Sequence, residues 1–425
     1  MTKNATTMPE ENKEIHIDAA SLLTDLSETA RFGGTQKGGI CRLALSKEDK
    51  QVRDWLSREG EKLLCTVSID SMGNQFLRYP GLDDSLPPLV MGSHLDTQPT
   101  GGKYDGIYGV LAGLAVIRAL RANECKTRHA IEVVNWTNEE GARFSPAMIS
   151  SGVFSGVFDQ QAAYKICDRN NVSIKDALEE TGYLGPIPCG QHPVRAYFEL
   201  HIEQGPVLEN EKKTIGVVTG VQGMRRYIIS IRGQAAHAGT TPMALRRDAM
   251  LTAAHLTVLA TDIARKHGDE AKATVGEITA LPGSSNVVCG DVTMTLDLRH
   301  PDDKIVESME AAFHQQAASV SEITKTQMQI ERTWNSPSVQ FDEECVSLVR
   351  NCAEEMQLTH RDIISGAGHD AAYLARICPT AMIFIPCRDG LSHNEAEHAE
   401  PEDIVAGANL LLETILKADA CFDLT

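Results

Sequence analysis

Four short apolar runs, each ending in a cluster of histidine and carboxylate side chains, constrain this chain more than any other feature. Pro87 to Met91 leads into Gly-Ser-His-Leu-Asp, and His129 to Trp136 into Thr-Asn-Glu-Glu-Gly. Ala196 to Leu200 leads into His-Ile-Glu-Gln-Gly, and Ala381 to Pro386 into Cys-Arg-Asp-Gly-Leu-Ser-His-Asn. Longer helical patterns separate them, which is the signature of an α/β fold: a mostly parallel mixed sheet flanked by helices. Ligands of such sheets gather beyond the carboxyl ends of the strands, and every cluster falls there.

From about Met224 to Trp334 the pattern changes. Arg226 to Arg232 alternates like a strand with one wet face, and Thr241-Pro242 reads as an N-cap with proline at the first helical position. A helix is expected from there to Gly268, then strands over Thr274 to Thr279 and Val292 to Leu298, a helix from Asp303 and a strand over Gln327 to Arg332. That β-α-β-β-α-β order is ferredoxin-like. The expected domains are therefore 1–222 with 335–425 for the metal-binding domain and 223–334 for an insertion.

A chain of 425 residues can fill two domains. Its first stretch, Met1 to Asp18, reads as a loose polar tail without the apolar block of a secretory signal. No apolar run is long enough to span a membrane. The formal charge of -18 opposes nucleic acid binding, so an anionic ligand needs a few focused arginines. Eleven cysteines without one C-x-x-C pair suit reduced thiols in the cytoplasm.

The clusters themselves carry chemistry. His94 follows a buried strand, and Asp105 sits in Gly101-Gly102-Lys103-Tyr104-Asp105-Gly106 ahead of a helix whose buried face is expected at Val110, Leu111 and Leu114. Alone, such residues are more often a structural histidine and a helix cap. The pair Glu139-Glu140 would repel unless cations or protons separate its charges, so one can bind metal while the other stays free as a base. With His201 and His393, the set provides ligands for two divalent ions, zinc first, with manganese or cobalt as alternatives.

Gly92-Ser93-His94-Leu95-Asp96-Thr97-Gln98-Pro99, Gly102-Lys103-Tyr104-Asp105-Gly106, Asn138-Glu139-Glu140-Gly141-Ala142-Arg143-Phe144, His201-Ile202-Glu203-Gln204-Gly205-Pro206, Ala236-His237-Ala238-Gly239-Thr240-Thr241-Pro242 and Ser392-His393-Asn394 resemble the motifs of the hydantoinase/carbamoylase amidases. These are relatives of the dinuclear zinc carboxypeptidases and aminoacylases, and the resemblance runs from about Leu22 to Leu416. It implies that His94 and His201 hold one ion, Glu140 and His393 the other, and that Asp105 bridges them. It also implies that Glu139 is the proton-transferring base, with Asp96 behind His94 fixing its tautomer. His201 points to the amidase branch, since peptidase relatives place a carboxylate there.

The resemblance further assigns His237 as donor to the oxyanion and Asn286 with Arg299 as the clamp on a substrate carboxylate. A surface histidine, and an arginine paired with Asp297, remain open alternatives. Gln204 and the segment Gly366-Ala367-Gly368-His369, Gly368 in particular, match further substrate contacts. The implied reaction is hydrolysis of an N-carbamoyl-L-amino acid or N-carbamoyl-β-alanine to amino acid, ammonia and carbon dioxide, with allantoate as the alternative substrate. A non-catalytic binding protein of the same fold would have lost the base or a ligand. The inserted domain is expected to act as a lid and to pair two subunits into a homodimer, with His237, Asn286 and Arg299 acting in their own subunit or across it.

Overall fold

The computed structural model describes residues 15–421. The tail expected over Met1 to Asp18 lies outside those residues through Glu14. Asp18 is already structural, because its carboxylate accepts the Ser21 amide and caps the helix Ala19–Thr29.

The chain divides into two compact units. One runs to Thr219 and takes up again over Phe341–Ile363 and from Gly368; the other is Gly220–Gln340 with Ile364–Ala367. The second unit is slightly longer than the expected insertion, because Val221 and Gly220 pair with Val339 and Gln340 where the chain leaves and returns.

In the first unit the strands lie in the order Thr66–Ile69, Gln75–Tyr79, Ile131–Trp136, Leu89–His94, Ala196–Ile202, Thr380–Ile385, Ile215–Val221. The four strands from Ile131–Trp136 to Thr380–Ile385 are parallel to one another, and every residue in them is buried. Antiparallel strands flank them. Continuous burial suits parallel strands covered on both faces, and it places the polar residues that end them under cover as well. The helix Ile107–Ala122 follows Asp105 and is buried all round over Ile107–Ile117, not only at Val110, Leu111 and Leu114. It touches the central strands and also the helices Ala19–Thr29 and Pro401–Cys421, so no side faces water.

The second unit holds an antiparallel sheet in the order Ile278–Leu281, Asp291–His300, Gly223–Arg232, Gln327–Ser336. The helices Ala249–Lys266 and Asp303–Thr324 pack through Leu256, Ile263, Met309 and Phe313 on the sheet residues Ile229, Ile231, Met294 and Leu296. This is the β-α-β-β-α-β order, with two local differences. The strand expected over Thr274 to Thr279 is split into Lys272–Thr274 and Ile278–Leu281, both paired with Asp291–His300. The first helix begins at Ala249 because the Asp248 carboxylate accepts the amides of Met250 and Leu251, while Pro242 opens only the short 3-10 turn Met243–Leu245. Among the described residues no helix is long and apolar enough to cross a membrane.

Candidate metal centre

The strand Leu89–His94 delivers His94 at its last residue, and Ala196–Ile202 delivers His201 one residue before its end. Each ring has its Nδ1 against a main-chain carbonyl, His94 with Asp96 at 2.9 Å and His201 with Ile202 at 2.8 Å. A proton held on Nδ1 by a carbonyl leaves Nε2 unprotonated, which is the tautomer a metal requires; at His201 that nitrogen accepts the Gly106 N–H at 3.1 Å.

Both Nε2 atoms converge on Asp105. Its Oδ1 lies 3.6 Å from His94 and 3.2 Å from His201, while its Oδ2 lies 3.6 Å from His393, whose Nε2 is 3.3 Å from Glu140. Two trios result, His94-Asp105-His201 and Asp105-Glu140-His393, each with its ligand atoms within 4.8 Å of one another. One carboxylate therefore serves both trios, an oxygen to each.

Local backbone explains why Asp105 can do this. Gly106 turns at φ +71°, and a Cβ there would stand 2.3 Å from the His94 ring, so only glycine lets the loop close over the histidine. Glu397 accepts the amides of Tyr104 and Asp105 at 2.9 and 3.1 Å. The Ser392 hydroxyl and the Gln204 amide both donate to Asp105 Oδ2, at 2.6 and 2.9 Å. Gln98 clamps Glu140 in the same manner, its main-chain N–H on Oε1 at 3.1 Å and its Nε2 on Oε2 at 2.8 Å. Three non-glycine residues of these loops, Asn138, Gln204 and His393, sit in the left-handed region at φ 58°, 58° and 54°. Such conformations persist where surrounding contacts over-determine them.

Two expected roles differ from the structure. Asp96 holds His94 through its main-chain oxygen; its carboxylate is 3.9 Å from that ring and instead accepts the amides of Glu139 and Glu140 at 3.2 and 3.3 Å. The reason is the turn after His94, which aims the side chain at the neighbouring strand's loop. Gln204, expected to contact substrate, has its amide on Asp105 and Ser392.

Glu139 is buried, with Oε2 3.5 Å from His94 Nε2. Burial, then the charges of Asp370 and Glu140, hold its carboxyl well above the ordinary carboxylate range. The buried carboxylates of Asp105 and Glu139 and the half-buried one of Glu140, facing imidazole nitrogens, form a donor set that suits divalent cations. Gly368 lies against the Met148 side chain, and the Met148 N–H donates to the Glu139 carbonyl at 2.7 Å.

His237, Asn286 and Arg299 belong to the second unit. The short pairing of Ala236–His237 with Val287–Val288 brings two of them together, with the Ala238 N–H donating to the Asn286 carbonyl at 2.9 Å. His237 is exposed, and its Nδ1 accepts the Gly239 N–H at 3.0 Å, which leaves a proton on Nε2 to donate. Arg299 pairs with Asp297, Nε to Oδ1 at 2.7 Å and Nη2 to Oδ2 at 3.2 Å.

Several supporting residues escaped the sequence reading. Ser392 and Gln98 stand inside the motifs quoted for their neighbours, and Glu397 comes four residues after His393. Nothing in their spacing marks them, since their contacts span long sequence separations. His369, which the sequence places with Gly368 among the expected substrate contacts, is buried edge-on to His201 with ring centroids 4.7 Å apart.

A covered parallel sheet with two carboxylate-imidazole trios at its strand ends defines a candidate dinuclear metal centre. The chain belongs to peptidase family M20/M25/M40, whose profile matches residues 90–417, and enzymes of this family depend on metal ions. It is similar to an N-carbamoyl-L-amino-acid amidohydrolase of Rhizobium meliloti, 41% identical over 96% of this chain and 98% of that protein. An allantoate amidohydrolase of Bacillus subtilis is 32% identical over 94% and 98%. Among solved structures, a hydantoinase/carbamoylase family amidase from Burkholderia multivorans is 50% identical with a TM-score of 0.91, over 96% of this chain and 99% of that one.

Proposed function

We propose that this chain hydrolyses the ureido amide of an N-carbamoyl amino acid, releasing the amino acid, ammonia and carbon dioxide. The observation that carries the reading is Asp105 shared between two ligand trios with Glu139 beside them. His94, His201 and Asp105 Oδ1 would hold one divalent ion, and Glu140, His393 and Asp105 Oδ2 a second. When bound, such a pair supplies Lewis acidity toward a carbonyl and a more acidic water. Zinc suits the mixed nitrogen and oxygen donors, with manganese or cobalt as alternatives.

Glu139 takes the proton from the attacking water and returns it to the leaving nitrogen. Burial holds its carboxyl above the ordinary carboxylate range, which favours its taking up that proton. Ser392 and Gln204 keep the shared carboxylate turned toward both trios. The free Nε2–H of His237 donates to the carbonyl oxygen as charge develops on it, and Arg299 with Asn286 clamps the substrate carboxylate. The second unit acts as a lid and joins two subunits, in whichever subunit these groups act. Eleven free cysteines suit a reducing cytoplasm.

The relative from Rhizobium meliloti favours an N-carbamoyl-L-amino acid, with N-carbamoyl-β-alanine in the same class; the Bacillus subtilis relative makes allantoate the second reading. Ammonia release from all three substrates, assayed with added zinc, manganese or cobalt, tests this. Turnover of the carbamoyl amino acids above allantoate is expected. No ammonia from any of them refutes the proposal, and allantoate as the best substrate replaces it with the second reading.

A further inference from the structure

Asp297 and Arg299 stand two positions apart on the strand Asp291–His300. Val292, Met294, Leu296 and Leu298 alternate into the core, so the two charged residues share the face away from the helices. Arg299 is fully engaged there: Nε and Nη2 hold the Asp297 carboxylate, and Nη1 donates to the Gly366 carbonyl at 2.9 Å. The fork that would grip a substrate carboxylate is closed on an internal one.

Asp297 has a second cation in reach. Its Oδ2 accepts from Arg226 Nε at 3.0 Å, and Arg226 is its cross-strand neighbour. Lys272 lies across from Arg299 on the other adjoining strand; burial, and then the charge of Arg299, hold its ammonium pKa below the ordinary value. Arg226, Lys272, Asp297 and Arg299 are the charged residues lining one cavity of about 580 Å³. Three cations face one carboxylate, which leaves room for a further anion.

We propose that Asp297 is a specificity-determining residue, holding the Arg299 fork before substrate arrives and yielding it to an incoming carboxylate while it turns to Arg226. The proposal rests on the reading of Arg299 as the carboxylate clamp. Exchange leaves neither acid unpaired, because Arg226 keeps Asp297. Only a ligand with its own planar carboxylate reproduces the two parallel bonds being given up, so an uncharged analogue meets a closed fork. The internal acid thereby discriminates against ligands that lack the charge.

Steady-state kinetics on the full-length, metal-loaded protein test this with N-carbamoyl-L-alanine and its carboxamide, folding of each variant being verified by its melting midpoint. Asp297→Asn opens the fork to either ligand, so KM should fall several-fold for the acid, more than kcat changes, and further for the carboxamide, which narrows the preference for the acid. Arg226→Ala removes the second partner of Asp297 and should raise KM for the acid. Opposite signs support the exchange. A rise or no change in KM with Asp297→Asn, or the same direction in both variants, overturns it and leaves Asp297 as a plain support for Arg299. A wild-type protein inactive on every ureido acid tested would instead defeat the functional reading, a result visible before any variant is compared.

Discussion

The two units hold their candidate functional groups in different ways. In the first, His94, Asp105, Glu139 and His201 are buried, and partners such as Gln98, Gln204, Ser392 and Glu397 fix the carboxylates of Asp105 and Glu140 or the loop that carries them. In the second, His237 and Asn286 are exposed on a two-residue pairing, and Arg299 is closed on Asp297. The contrast teaches that the candidate metal centre is built in advance, whereas the groups proposed to recognise substrate stand exposed or paired with an internal acid. A preorganised site loses nothing to reorganisation at the moment of reaction. A clamp that opens can select.

Variants can break or sharpen that contrast. The largest effect is expected from Glu139→Gln, which should lower kcat by roughly 10²- to 10⁴-fold as a general base does, with metal content by elemental analysis unchanged. Loss of metal in that variant would make Glu139 a ligand and redraw the first unit's centre. Arg299→Ala should raise KM by roughly 10- to 100-fold, the worth of a charge-assisted pair, while the melting midpoint and metal content hold. A fall in either would show that the second unit's arginine is structural. Gly106→Ala should act on stability and metal retention rather than on turnover, since φ +71° alone costs a side chain on the order of 1–3 kcal/mol and the His94 ring must shift as well. Thermal melting should show a lower midpoint, and dialysis weaker metal retention; an unchanged protein would mean that the loop is not rigidly set.

Much of the first unit was legible because its signals are local. Each apolar run is short and is followed by ligand-type residues, so spacing alone puts His94 and His201 at strand ends and Glu140 and His393 in the loops that follow. For the helix after Asp105 periodicity shows one apolar face, at Val110, Leu111 and Leu114, and cannot show that Pro401–Cys421 covers more of it. The second unit's element order was legible too. Its first helix starts later than the sequence implies, since Thr241-Pro242 carries a valid cap signal that Asp248 outcompetes with two amide contacts.

What the sequence determined by itself is the chemistry in stock: which side chains can ligate, which can move a proton, and that they follow buried strands. Only the tertiary structure decided which oxygen of Asp105 faces which trio, that Asp96 serves the Glu139-Glu140 turn with its carboxylate, and that Arg299 lies closed on Asp297. The physical reason is range. Residue type and period act over a few positions, while these choices depend on hydrogen bonds between groups brought together from strands and loops far apart in the chain, or on which of two nearby partners the folded sheet presents.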